Sequence, residues 1–244
     1  MILVRISSFV FVAPFFSMTN TPRRVKVGFS AFAAILLYGI VPRGTVEYTD
    51  VIGYATIVVQ EGITGLLIGF AASICNSIVL LSGNIIDMNL GLSMAMEYDP
   101  VTQTSAPISG NFYNYLLMLL LVVTDMHHYI FRAVADSYVL IPIGGQNFNW
   151  DNLAESMLKY MGDSMVIGFR IALPVFAVIM ILNCILGVMA KVAPQMNMFA
   201  VGIQLKVLVG LAVMLLTIQL LPAVADFIFG EMKRMIVSMI EGMY

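Results

Sequence analysis

The chain has 244 residues, of which 60% are hydrophobic and 11% are charged, against about 25% charged residues in a soluble domain. A soluble protein of this size needs more polar surface, so the composition favours an integral membrane protein or a subunit that is always covered by apolar partners. The formal net charge of −2 excludes a basic field of the kind that binds nucleic acid.

The first stretch, "MILVRISSFVFVAPFF" at residues 1–16, is apolar from its first residue and is interrupted by Arg5. It lacks the basic start and the cleavage site of a signal peptide, and it is shorter than the roughly 20 residues of a membrane helix. We therefore expect that the start of the first helix is missing. A basic cluster at residues 23–26 precedes the apolar stretch 25–41 and favours a cytoplasmic first turn.

Apolar stretches continue at residues 51–81, 112–123, 165–190 and 198–229. Between them, residues 144–163 are the most polar part, where methionine and leucine at four-residue steps predict a short amphipathic helix. Helices are expected throughout, because isolated strands cannot satisfy their backbone in lipid. The sequence predicts an all-α polytopic membrane protein of five or six long packed helices, one domain over residues 1–244, without a soluble domain.

Catalytic motifs are absent from the sequence. It contains neither a G-x-x-x-x-G-K-[ST] phosphate loop nor a G-x-S-x-G nucleophile turn. His127 and His128 are adjacent, and helical neighbours point about 100° apart, so we do not expect both to face one zinc ion. We interpret them as a polar patch where a helix leaves the apolar layer. No enzyme activity, metal or cofactor is predicted, and an intramembrane enzyme stays a possibility without support.

Small residues recur at helical spacing, which lets helices approach closely in lipid. Such a stripe of small residues along a helix serves either packing within the chain or assembly with other subunits, and the spacing does not distinguish these two uses. The predicted helix-packing residues are Gly62, Gly65, Gly69, Ser73, Ser77, Gly202 and Gly210.

Charged residues lie inside apolar stretches, where a charge at mid-membrane costs about 2.5–3.5 kcal/mol on insertion scales. We predict that Glu61, Arg170, Lys191 and Lys206 are buried charges. Structural pairing inside an assembly is one interpretation, a proton or solute pathway is another, and a third is that these helices do not sit at lipid depth.

The stretch "GLSMAMEYDP" at residues 91–100 interrupts the apolar pattern with methionines and two acids. Methionine is unbranched and fills irregular gaps, and Pro100 disfavours helix at Asp99. A helix that breaks beside a deformable constriction explains this pattern, and so does an ordinary interhelical loop.

The same stretch resembles the G-L-S-x-A-x-x-x-D-P signature of the FliR family, the flagellar and type III secretion export-gate proteins. The segments "RISSFVFVAPFFSMTNTPRRVKVGF", "DMHHYIFRAVADSYVLIPIG", "RIALPVF" and "MAKVAPQMNMFAVGIQLKVLVG" resemble further family motifs in the family's order. Met126 and Asp87 stand where members usually carry glycine.

This resemblance implies an export-gate fold of helical hairpins and a channel for unfolded flagellar proteins. It implies FliP-like and FliQ-like gate subunits and FlhB-like and FlhA-like export proteins as partners, in the bacterial inner membrane at the flagellar basal body. It also implies a pore plug, formed by Leu90, Gly91, Leu92, Ser93, Met94, Ala95, Met96, Glu97, Tyr98, Asp99 and Pro100. The alternative is a small secondary transporter that uses the intramembrane charges, although no internal repeat of the kind found in such transporters is evident.

Overall fold

A computed structural model describes residues 1–14, 16, 21–39, 41, 50–92, 97–99, 104–193, 195 and 197–244, with the backbone alone at residues 75, 97–99, 104–106 and 198–199. Most of this part of the chain is helical, which confirms the predicted all-α fold. The helices are α1 (Ile2–Val12), α2 (Arg23–Tyr38), α3 (Val51–Leu90), α4 (Ile108–Val123), α5 (Met126–Leu140), α6 (Trp150–Val192), α7 (Met198–Thr217) and α8 (Leu221–Glu241).

Three helical segments within the described ranges are long and apolar enough to cross a membrane: Val51–Leu90, Trp150–Val192 and Ala200–Glu241. Helices α4 and α5 qualify together only as a bent pair. The prediction of a polytopic membrane protein is confirmed, but these spans are fewer than the five or six long helices expected. The reason is that α2 and α4 contain 16 residues each, below the roughly 20 that a bilayer requires.

The predicted amphipathic helix at residues 144–163 is not a separate element. The helix begins at Trp150 and continues without a break through the apolar stretch to Val192, with Pro174 inside it. Residues 163–165 (Asp-Ser-Met) contain no helix breaker, so the change from polar to apolar surface occurs along one helix. The change from polar to apolar residues in the sequence therefore marks a change in the surface of one helix and not the end of a helix.

Two strands of three residues each interrupt the helices. Strand β1 (Glu97–Asp99) pairs antiparallel with β2 (Thr104–Ala106), with Tyr98 opposite Ser105. A two-stranded hairpin of this length is marginally stable by itself in water. Part of the segment predicted to plug a channel is thus a small hairpin between α3 and α4.

The chain divides into two compact units, and the predicted single domain stays a prediction. The first unit comprises Met1–Asn76, Leu121–Gly162 and Ile228–Tyr244. It contains an aromatic cluster of Phe9, which is buried, with the half-buried Phe16, Phe29 and Phe131, and neighbouring ring centroids lie 5.1–6.2 Å apart. The amides of Asn147 and Asn149 donate to carbonyls of Met243 and Gly242, both at 3.1 Å, which fixes the end of the chain in this unit.

Glycines let α3 pack directly on α1 in the first unit. A Cβ atom added at Gly65 would collide with the Arg5 carbonyl oxygen and the Ser8 hydroxyl. At Gly69 it would lie 3.0 Å from the Phe9 carbonyl oxygen and 3.2 Å from Val12 Cβ. This half of the predicted small-residue stripe therefore serves packing within the chain.

The second unit comprises Ser77–Leu120 and Asp163–Phe227. Here Gly83 of α3 and Gly110 of α4 approach each other so closely that a Cβ at Gly83 would collide with the Gly110 backbone. Gly210 of α7 faces the side chain of Leu90, and a Cβ there would collide with it. By contrast, Gly202 has a single neighbour, the Leu186 Cδ1 atom at 3.4 Å.

We predict that Gly65→Ala lowers the melting temperature of the detergent-solubilised chain, because the new methyl group meets backbone that cannot move aside. Overpacking of this kind costs about 1–3 kcal/mol. The control is Gly28→Ala in α2, where an added Cβ has no neighbour within 4 Å. There we expect an unchanged or higher melting temperature, since alanine is the better helix former by about 1 kcal/mol. Equal behaviour of the two variants would contradict the close packing.

Candidate functional site

The segment predicted to act as a plug begins where α3 ends. Leu90 is fully buried at the last position of α3, and Gly91 adopts φ +80°, a left-handed conformation that glycine reaches without steric cost. This is a common way to end a helix. Residues 93–96 and 100–103, which include Ser93, Met94, Ala95, Met96 and Pro100, lie outside the described residues, so their predicted role stays a prediction.

A buried carboxylate joins the two ends of this segment. Asp87, in the last turn of α3, is 3% exposed and accepts hydrogen bonds from the Ser109 amide at 3.2 and 3.3 Å and from the Ser109 hydroxyl. Ser109 lies in the first turn of α4, where free amides and the helix dipole favour a negative charge. The contact holds the start of α4 against the end of α3 and closes the base of the loop between them.

An apolar cavity of about 550 Å³ adjoins the same base. Its wall is formed by α4, α7 and the residue after Gly91, and the hydroxyl-bearing residue in that wall is Ser109. Apolar lining residues include Leu92, Ile108, Phe112, Leu211 and Leu215. The surroundings of the loop base are therefore apolar apart from the Asp87–Ser109 contact.

The first unit contains a buried ion pair. The Arg5 guanidinium donates from Nε to Glu61 Oε2 at 2.7 Å and from Nη2 to Oε1 at 2.9 Å, and both side chains are 0% exposed. The two parallel bonds match the planar fork of arginine to the carboxylate. This pair connects α1 with α3.

The remaining donors and acceptors of the pair are also satisfied. Arg5 donates to the Ser137 hydroxyl at 3.2 Å and to the Ile141 carbonyl at 3.3 Å, and its Cζ lies 4.0 Å from the centre of the Tyr138 ring. Glu61 accepts from Gln146 Nε2 at 2.6 Å and from the Gly144 amide at 3.3 Å. Because carbonyls at a helix C-terminus lack partners, the cation also stabilises the end of α5.

None of the other three predicted buried charges is fully buried by this chain. Arg170 and Lys191 are exposed on α6, and Lys206 on α7 is half-buried. Among the described residues, none of the three lies within ion-pair distance of an acid. Burial of these three side chains inside an assembly remains a prediction.

Sequence reasoning did not place Arg5 or Asp87 in a site. One sequence feature could have indicated that Arg5 is buried: it lies inside an apolar stretch, on the same helix face as Phe9, four residues later. Asp87 was noticed as a departure from the family pattern, but its partner Ser109 lies 22 positions away. Neither spacing nor composition reveals such a pair.

We predict that Glu61→Gln strongly destabilises the first unit, because it leaves the Arg5 guanidinium buried without a counter-charge. Breaking a buried pair costs about 3–5 kcal/mol. The control is Asp136→Asn, whose pair with Arg132 has side chains 64% and 81% exposed; exposed pairs contribute about 0–1 kcal/mol. Thermal unfolding in detergent measures both. A Glu61→Gln chain as stable as the control would contradict the assignment.

Residues 1–232 match the family model "Bacterial export proteins, family 1". The chain is 26% identical over 232 residues to the Flagellar biosynthetic protein FliR of Bacillus subtilis (strain 168), covering 94% of this chain and 89% of that protein. Against the protein of the same name from Escherichia coli (strain K12), identity is 26% over 241 residues, covering 98% and 91%.

A third relative, the Flagellar biosynthetic protein FliR of Aquifex aeolicus (strain VF5), is 28% identical over 220 residues, which cover 89% of this chain and 83% of that protein. The match to the family model, residues 1–232, includes the helices that carry the ion pair and both ends of the segment between α3 and α4. The chain belongs to family 1 of the bacterial export proteins.

Proposed function

We propose that the chain is a subunit of the core export gate of the flagellar type III secretion apparatus and forms part of the channel for unfolded flagellar proteins. The family match and the names of the relatives support a component of the flagellar export apparatus. The observation that carries the gate role is the large apolar surface that this chain leaves uncovered.

That surface lies on the two C-terminal spans. In the most apolar part of Trp150–Val192, 17% of residues are buried by the chain, and in Ala200–Glu241 the share is 11%. Val51–Leu90 reaches 53%. An apolar helix face left open by its own chain requires lipid or other apolar subunits as its environment.

The charges favour subunits over lipid. Arg170 is exposed on the apolar part of α6, and an arginine that faces the bilayer centre costs about 2.5–3.5 kcal/mol. A neighbouring subunit with an acid or carbonyl group removes this cost. As the family resemblance implies, the proposed partners are FliP-like and FliQ-like gate subunits, with FlhB-like and FlhA-like proteins beside them, in the bacterial inner membrane at the flagellar basal body.

The transporter alternative gains no support from Glu61. Its carboxylate accepts hydrogen bonds from Arg5, Gln146 and the Gly144 amide. A carboxylate held by this many donors is a structural group, whereas a pathway group must exchange its partner.

The test is copurification of a tagged full-length chain with the neighbouring hydrophobic gene products. We expect a high-mass complex for the parent. Arg170→Leu should lower its yield several-fold, because a buried partner group is left unpaired. The matched control is Lys159→Leu, an exposed cation in the polar first part of the same helix, which should leave the yield unchanged. Equal or higher yield of Arg170→Leu would show that this face lies in lipid or water.

The segment at residues 90–100 is proposed as the plug of the closed channel, with Met94 and Met96 as sealing residues. The clamp between Asp87 and Ser109 supports this role, since it fixes both ends of the segment while the hairpin between them consists of three residue pairs. Dispersion contacts are worth about 0.1–0.2 kcal/mol per atom pair. A seal made of such contacts opens without breaking strong bonds.

We predict that deletion of residues 94–104 leaves an assembled but leaky gate, because the clamp at residues 87 and 109 remains while the seal is lost. Membrane conductance, or sensitivity of growth to small ions and dyes, measures the leak. A variant in which the same residues are replaced by a glycine–serine linker of equal length distinguishes the effect of loop length from the effect of the sealing side chains. This variant should also leak. An assembled deletion mutant as tight as the parent would assign the seal to another element.

A further inference from the structure

The turn before α5 brings together the two histidines of the chain and an acid. One ligand atom each of Asp125, His127 and His128 lies within 4.8 Å of the other two, and the two imidazole rings are 4.0 Å apart. Whether both histidines can face one ion stays open, but their side-chain atoms lie closer together than helical spacing suggested. Although their Cβ atoms diverge on the helix, their side chains converge.

Asp125 has an unusual backbone and an unusual use of its side chain. It adopts φ +56° at the N-cap of α5 but forms no side-chain cap hydrogen bond. An aspartate at this position usually accepts from the amides of the first helical turn. Instead, its Oδ1 lies 3.4 Å from His128 Nδ1. Left-handed residues other than glycine cluster at functional sites, where the surroundings maintain them.

His127 has a ring nitrogen without a partner. Its Nδ1 is shielded from solvent and forms no hydrogen bond in the part of the chain that the structure describes. Buried polar atoms in proteins nearly always have a hydrogen-bond partner or bind an ion or ordered water. In the neutral ring one nitrogen is an acceptor and is available as a metal ligand.

We propose that Asp125, His127 and His128 bind one divalent transition-metal cation of the zinc type. Two imidazoles and one carboxylate are a ligand set that such ions accept, with water in the remaining position. The Asp125 and His128 side chains are 77% and 74% exposed, so they can rotate toward an ion and leave a path for it. Metal–nitrogen distances of about 2.0–2.1 Å require contraction of the present cluster, which rotation of these two exposed side chains provides.

The bound ion has a structural consequence. It connects the left-handed residue before α5 to two residues in the first turn of that helix, and so stabilises the conformation that Asp125 adopts without a cap. The ion therefore fixes the start of α5, whose other end contacts the Arg5 guanidinium through Ile141. This inference does not depend on the proposed export function.

The test uses the full-length chain, purified in detergent with a tag that lacks histidine, and titrated with Co²⁺ and then Zn²⁺. We expect one equivalent of Co²⁺, visible absorption bands of a nitrogen- and oxygen-ligated ion, and loss of these bands when Zn²⁺ displaces it. His127→Ala, His128→Ala and Asp125→Ala should each weaken binding at least about tenfold, the lower end of what even outer-shell changes cost.

Two controls keep the result specific. Cys184→Ser removes an exposed thiol, and Asp136→Asn removes an exposed acid of α5, the helix that carries both histidines. Both variants should leave the Co²⁺ affinity and the spectrum unchanged. Circular dichroism verifies that each variant is folded, and His127→Gln offers a milder change if His127→Ala is not. The proposal is overturned by a parent that binds no Co²⁺ or Zn²⁺ saturably, by sulfur charge-transfer bands, or by a folded His127→Ala/His128→Ala chain with the parent's affinity.

Discussion

The pair of Arg5 and Glu61 is the interaction on which the first unit depends. Both charges are fully buried, and an unpaired charge in such a place is so costly that neither residue is tolerable there alone. The pair reaches four parts of the chain: α1, α3, the end of α5 and the loop at Gly144 and Gln146. The glycines of α3 that pack on α1 lie beside it, and the Tyr138 ring lies over Arg5.

The second unit also contains a buried charge whose hydrogen bonds connect two helices, but this charge has no ionic partner among the described residues. A single carboxylate, Asp87, is satisfied by the amide and hydroxyl of Ser109, and no cation of the described residues pairs with it. The contact holds the end of α3 against the start of α4, and between them the described strands β1 and β2 pair over three residues each. A short hairpin on a fixed base suits a segment that has to move, so this contact is consistent with the proposed plug.

Much of the fold was accessible from the sequence because it depends on local pattern. Apolar runs of membrane length predicted α3 and α6, and ordered family motifs indicated the export family. The polar stretch at residues 144–163 led to the wrong prediction of a separate short helix, because the change in polarity occurs within one continuous helix. The ion pair could not be predicted because Arg5 and Glu61 are 56 positions apart, and the next partner of Arg5, Ser137, is 132 positions away. The proximity of the His127 and His128 rings was not foreseen, because helical periodicity describes Cβ directions and not the ends of long side chains.

The most direct test of the central claim is a double replacement of the ion pair by apolar residues. Thermal unfolding in one detergent should be measured for the parent, Arg5→Met, Glu61→Met and the double variant. If the two charges are needed only because each neutralises the other, the double variant should be destabilised by less than the sum of the single changes, by a coupling of about 0.5–3 kcal/mol. Losses that simply add would show that Arg5 and Glu61 act independently, and the account of the first unit would be wrong.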